Sequence, residues 1–70
     1  MDAVKERVSA VLHNHMATTG KTQIQIAADL GVHQTMVSKY LLKAKCPSIN
    51  KLVAIAKLTN SSIGELLSDN

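Results

Sequence analysis

The chain has almost no aromatic residues: Tyr40 is the only one among 70 residues. Its hydrophobic residues, 46% of the sequence, are therefore nearly all aliphatic. No apolar run approaches the ~20 residues that a membrane-spanning helix needs. The first residues, MDAVKERVSAVL, are charged and amphipathic, which is not typical of a signal peptide. These absences favour one small domain with an aliphatic core.

Cysteine is also scarce, and the single Cys46 cannot form a disulfide within the chain. With no export signal, we expect a cytoplasmic protein in which Cys46 is a small packing residue. His13 and His15 are two residues apart on a predicted helix, so they point in different directions, and no Asp or Cys joins them at ligand spacing. Ser38 has no obvious base. We therefore expect no metal, no other cofactor and no enzyme activity.

Acidic residues are missing from the middle of the chain. None lies between Gly31 and Gly64, whereas this stretch contains the lysines Lys39, Lys43, Lys45, Lys51 and Lys57. The net charge is only +3, so the distribution is more informative than the total. A block of one sign in a folded domain attracts polyanions, although an ordinary solvated lysine face is the alternative.

Apolar residues recur at helical spacing in five short segments. We predict helices over residues 2–17, 23–30, 34–42 and 49–58, and a fifth that begins at the capping box of Ser62 and Glu65. The predicted N-caps of the first, second and fourth helices are Asp2, Thr22 and Ser48. The predicted inward residues are Val4, Val8, Val11, Leu12, Ile26, Ala27, Leu30, Val32, Val37, Tyr40, Leu41, Ile49, Leu52, Val53, Ala56, Ile63, Leu66 and Leu67. The sequence thus predicts one compact all-α domain over residues 1–70.

The segment QIQIAADLGVHQTMVSKYLL predicts two short helices joined by a tight turn. Ala27 is the small residue where the two helices cross, and Gly31 supplies the positive φ that ends the first helix. His33 precedes the second helix, and histidine is a mediocre N-cap. The outward side of that second helix carries Gln34, Thr35, Ser38 and Lys39, with the apolar Leu42 among them, and no acidic residue.

This segment resembles the helix-turn-helix of lambdoid phage Cro and repressor proteins, especially in the run AADLGVHQT. The run CPSINKLVAIAKLTNSSIGELL resembles the fourth and fifth helices of the wider XRE-like family. The likeness covers residues 4–67 and implies a five-helix, lambda-repressor-like domain with its helix-turn-helix at 23–42. It further implies a transcriptional regulator, expected to be a repressor that binds a palindromic DNA operator in the major groove as a dimer.

The resemblance also implies which residues meet the DNA. In that family the N-terminal residues of the second helix of the pair lie at the base edges. Carried over, the base-reading residues are His33, Gln34, Thr35, Ser38 and Lys39. The residues expected at the DNA backbone are Lys21, Thr22, Gln23, Lys43, Lys45 and Lys51. Gln34 can bind adenine N6 and N7 together, and Gln23 is expected to brace it.

The biological role and the assembly stay open at this point. The chain stops after the fifth helix, as expected either for a Cro-sized protein or for the N-terminal domain of a longer repressor. We expect a homodimer that is weak in solution and firmer on DNA, because few apolar residues remain outside the core. The alternative functions are an antitoxin-type autoregulator and a protein-interaction module with the same fold.

Overall fold

A computed structural model describes residues 3–67, and every regular element in that range is a helix. The helices are α1 (Ala3–Thr19), α2 (Gln23–Leu30), α3 (Gln34–Leu41), α4 (Ile49–Thr59) and α5 (Ile63–Leu67). The predicted all-α fold of five helices is confirmed. The bounds of α2 agree with the prediction, whereas α1 continues two residues further and α3 ends one residue earlier. The predicted N-cap Asp2 lies outside the described residues.

Side chains close to the starts of α2, α4 and α5 provide the expected N-terminal caps. The Thr22 hydroxyl accepts from the Gln25 N–H at 3.3 Å, and Gln25 Oε1 accepts from the Thr22 N–H at 2.9 Å. Ser62 and Glu65 form the same reciprocal pair at α5. Ser48 caps α4 by accepting from the backbone N–H three residues later. These bonds satisfy amides that have no partner within the helix, and the predicted caps are confirmed.

Four helices are followed by one residue in the left-handed conformation. This residue is Gly20 after α1 (φ 75°), Gly31 after α2 (φ 69°), Lys43 after α3 (φ 62°) and Asn60 after α4 (φ 58°). After α2, α3 and α4 the next N–H returns to the carbonyl five residues earlier, at 3.0, 2.9 and 2.8 Å respectively. This is the Schellman arrangement, in which glycine or asparagine is usual. Lys43 is the exception, and its conformation was not predicted.

The core lies between α1 and the remaining helices. α1 packs against α3, α4 and α5, while α2 packs against α3 and α4. The buried hydrophobic residues are Val8, Leu12, Ile26, Ala27, Leu30, Val37, Tyr40, Leu41, Leu52, Ile55, Ala56 and Leu66. Most of the predicted core is therefore confirmed.

None of the helices in the described range is long and apolar enough to cross a membrane.

Three residues predicted to face inward are instead exposed. Ile49, Val53 and Leu67 are 58%, 38% and 45% exposed. On α4 the buried face is formed by Leu52, Ile55 and Ala56. This helix carries apolar residues on both sides, so helical periodicity alone could not show which side packs on the other helices. The prediction for these three residues was wrong.

Candidate nucleic-acid interface

The turn between α2 and α3 depends on the conformation of Gly31. A Cβ built on this residue would meet no atom within 4 Å, so space is not the constraint. Its φ of 69° is the constraint, since residues with a Cβ are strained there. The following Val32 N–H donates to the carbonyl of the buried Ala27 at 3.0 Å. Local backbone geometry thus fixes where α3 begins relative to α2.

A buried contact with α1 holds the other end of α3. The Ser9 hydroxyl, on α1, donates to the Leu41 carbonyl at 2.7 Å, and Ser9 is only 3% exposed. His13 Nδ1 lies 2.8 Å from the Ser9 carbonyl, to which it can donate. A buried hydroxyl is stable only when hydrogen-bonded, so this bond both satisfies Ser9 and ties the last turn of α3 to α1. Sequence reasoning did not identify Ser9, because nothing local marks its partner.

The two sides of α3 differ in chemistry. Val37, Tyr40 and Leu41 are buried. Four of the five predicted base-reading residues are exposed, namely His33, Gln34, Thr35 and Lys39, and Ser38 is half-buried. The structure therefore brings the predicted residues together at one helix and its N-cap. We refer to His33, Gln34, Thr35 and Lys39 as the reading face.

His33 caps α3, although the sequence predicted it to be a mediocre cap. Its Nδ1 accepts from the Thr35 backbone N–H at 3.2 Å and lies 3.0 Å from the Thr35 hydroxyl. A nitrogen that accepts carries no hydrogen, so the neutral imidazole carries its hydrogen on Nε2. His33 thus stabilises the start of α3 through one nitrogen and retains the other as a donor.

Gln23 has a different partner from the one expected. Its Oε1 accepts a hydrogen bond from Ser38 Oγ at 2.6 Å, and this contact is partly buried. The sequence predicted Gln34 as the residue that Gln23 braces. Gln34 itself is exposed in the first turn of α3. The bond between Gln23 and Ser38 connects the first residue of α2 to the middle of α3.

Two of the predicted backbone-contacting lysines have partners within the chain. Lys21 Nζ lies 2.7 Å from Asp29 Oδ2 in an ion pair near the surface. Lys51 Nζ donates to the Leu30 carbonyl at 3.1 Å. Sequence reasoning identified neither partner. In each case one of the three N–H donors of the ammonium group is already engaged within the chain.

Lys43 and Lys45 are exposed in the segment between α3 and α4.

The pKa of Tyr40 is raised, first because the phenol is buried and further because Cys46 is close. The phenol therefore stays neutral at physiological pH. The free thiol of Cys46 is exposed and lies 3.6 Å from the Pro47 carbonyl, so its predicted role as a packing residue was wrong.

The geometry is that of a helix-turn-helix: two short helices, a tight turn, and a second helix with an exposed polar side without acids. The helix-turn-helix family model matches residues 19–66, which cover α2 to α4 and most of α5. This is more than half of the chain, which therefore belongs to the helix-turn-helix family of the XRE type. The protein is a DNA-binding regulator, and regulators of this family are generally not enzymes. Comparisons with curated proteins and with solved structures gave no match.

Proposed function

We propose that the chain is the DNA-binding domain of a transcriptional repressor of the Cro or C1 type, which binds a palindromic operator as a dimer. The observation that carries this proposal is the reading face. It presents two amide or imidazole donors, a hydroxyl and an ammonium group from one exposed helix side without an acid. In helix-turn-helix proteins the N-terminal part of this helix enters the major groove. Three of the four residues lie at that end of α3.

Each member of the reading face has a base edge that suits it. Gln34 offers a donor and an acceptor on one plane, which match adenine N6 and N7. His33 Nε2 and the Lys39 ammonium are donors suited to guanine N7 and O6 or to a phosphate. The Thr35 hydroxyl is close to His33 Nδ1, which leaves the Thr35 methyl group for contact with the methyl group of thymine. The face therefore suits a mixed operator half-site rather than a run of one base.

The DNA backbone contacts are proposed at the two ends of the helix pair. Lys21, Thr22 and Gln23 lie at the start of α2, where unpaired amides favour an anion. Lys43 and Lys45 follow α3. The left-handed conformation of Lys43 is one that glycine adopts at lower cost, so a lysine there suggests that its charge is retained for function.

A second copy of the chain is the proposed partner on the operator. Ile49 and Val53 are exposed and lie four residues apart on α4, so their side chains share one helix side. Two isolated residues of this kind form a small apolar surface, which favours a dimer that is weak in solution. Two copies related by a twofold axis would place their reading helices about one helical turn of DNA apart, about 34–36 Å.

Selection of binding sites from random DNA tests this function. We expect a palindromic consensus, two chains per operator by sedimentation, and largely monomeric protein at nanomolar concentration without DNA. The logarithm of affinity should fall with the logarithm of salt concentration at about −0.9 per neutralised phosphate. Replacing Lys43 and Lys45 by Ala should reduce that slope, whereas the matched variant Lys57→Ala should not. An asymmetric consensus bound by one chain would contradict the dimer, and a flat salt profile would contradict DNA binding through this surface.

A further inference from the structure

We infer that Ser38 is a positioning residue, which orients the Gln23 amide for a phosphate contact and does not itself read a base. This inference rests on the proposed binding mode and concerns the role of one residue within it. The resemblance placed Ser38 among the base-reading residues. The hydrogen-bond geometry around its hydroxyl assigns it another role.

The Ser38 hydroxyl has one hydrogen to donate, and Gln23 Oε1 accepts it at 2.6 Å. The side chain is half-buried, whereas the four residues of the reading face are exposed. A serine hydroxyl also reaches less far from the helix than Gln34 or Lys39. To donate to a base, Ser38 would have to give up a short, partly buried hydrogen bond.

The same bond determines which atoms Gln23 can offer to a ligand. With Oε1 accepting from Ser38, the remaining group is the NH₂, which has two N–H donors. If the amide turned over, the oxygen would face outward and repel a phosphate. With its bond to Ser38 the Gln23 amide has the orientation that favours an anion.

The neighbouring backbone amides favour the same ligand. Gln23 is the first residue of α2, directly after the N-cap Thr22. The Gln25 N–H donates to the Thr22 hydroxyl, and the Ile26 N–H donates to the Thr22 carbonyl. The first two amides of the helix, those of Gln23 and Ile24, have no acceptor one turn earlier in the helix. Together with the Gln23 NH₂ they form a set of donors at the positive end of the helix dipole.

The bond also joins two helices, since Gln23 lies on α2, at the proposed phosphate contact, and Ser38 lies on α3, which carries the reading face. A phosphate held at Gln23 would thereby be coupled to the placement of the reading helix. Loss of Ser38 should weaken the phosphate contact without changing which bases are preferred. This combination distinguishes a positioning residue from a base reader.

The test compares Ser38→Ala and Gln23→Ala, singly and together, in the full chain. Affinities are measured on the selected operator and on a panel in which each base pair is replaced in turn. Ser38→Ala should weaken all operators by the same factor, roughly three- to tenfold, as expected for one hydrogen bond. In the Gln23→Ala background it should have no further effect. Ser38→Thr, which keeps the hydroxyl, should restore most of the affinity.

Affinity is also measured on operators in which one phosphate at a time is replaced by a neutral methylphosphonate. At one position this replacement should weaken binding of the wild-type chain and should weaken binding of Ser38→Ala clearly less. A serine with a purely structural role would not produce this difference. A change of base preference in Ser38→Ala, or additive losses in the double variant, would overturn this inference while the wild type still bound its operator. Failure of the wild type to select any DNA sequence would instead overturn the proposed function, and the inference with it. Thermal unfolding of each variant confirms that affinities are compared between folded proteins.

Discussion

The ammonium group of Lys51, on α4, donates a hydrogen bond to the backbone carbonyl of Leu30, the last residue of α2, over 3.1 Å. Carbonyls at a helix C-terminus lack helical partners and carry the negative end of the dipole, so a cation there is favourable. The contact ties α4 to the residue directly before the turn at Gly31. In the free protein Lys51 therefore acts within the fold, while its contact with a phosphate stays a prediction.

Loss of the Lys51 contact should lower stability. Lys51→Met keeps most of the aliphatic stem but removes the charged donor, and should reduce the free energy of unfolding by about 1–2 kcal/mol. Lys51→Arg should retain much of it. Urea unfolding provides the measurement, with Lys57→Met, at an exposed site on the same helix, as the matched control. Equal effects at positions 51 and 57 would show that the bond to Leu30 contributes nothing measurable.

The turn should be sensitive to backbone conformation at Gly31 and insensitive to volume. Because no atom lies near a Cβ there, Gly31→Asn should be tolerated, whereas Gly31→Val should cost about 1–3 kcal/mol through strain at positive φ. Thermal midpoints of the two variants measure the difference. Similar midpoints for Asn and Val would mean that the turn adopts another conformation in solution.

Asp29 should weaken DNA binding through its ion pair with Lys21. A phosphate that approaches the Lys21 ammonium is repelled by the carboxylate 2.7 Å from that group. Asp29→Asn should therefore raise affinity for all DNA sequences and steepen the salt slope by up to about 0.9. Glu6→Gln makes the same change of charge on α1 and serves as the control. If both variants raised affinity equally, net charge and not the Lys21 pair would be the cause.

Stability and DNA affinity should change in opposite directions at Lys43. Lys43→Gly removes a Cβ from a residue at φ 62°, and should stabilise the fold by up to about 1 kcal/mol. It also removes the proposed phosphate contact, so affinity should fall alike on all sequences. Asn60→Gly alters the corresponding position after α4 and should change neither property much. Undiminished affinity in Lys43→Gly would remove this lysine from the proposed interface.

Gln34 should determine the preference for one A·T pair in each half-site. Gln34→Ala should cost about 1–3 kcal/mol on the preferred operator, because a bidentate contact is lost. The cost should be much smaller on an operator already changed at that base pair, and a double-mutant cycle measures the coupling. A uniform loss over all operators would instead make Gln34 a backbone-contacting or structural residue.

Much of the fold followed from residues that are close together in the chain. Thr22 with Gln25, and Ser62 with Glu65, encode their helix starts within four residues. The cap at Thr22 and the capping box of Ser62 and Glu65 were predicted, whereas the bond that Gln25 returns to Thr22 was not. Gly31 marked the end of α2 because few other residues adopt its conformation. The reading face could be predicted because an α-helix has 3.6 residues per turn, so residues three or four apart lie on the same side. These interactions are local, so the sequence alone was sufficient to predict them.

Contacts between distant residues required the tertiary structure. Ser38 finds Gln23 fifteen residues away, Lys51 finds Leu30 twenty-one residues away, and Ser9 finds Leu41 thirty-two residues away. Each partner is fixed by how the helices pack, and no short motif encodes that packing. The same holds for α4, where both sides are apolar and only packing decides that Ile55 is buried while Ile49 is exposed. The sequence by itself thus determined the helices, the turn and the reading face, whereas packing decided which polar groups are already paired and which apolar residues remain exposed.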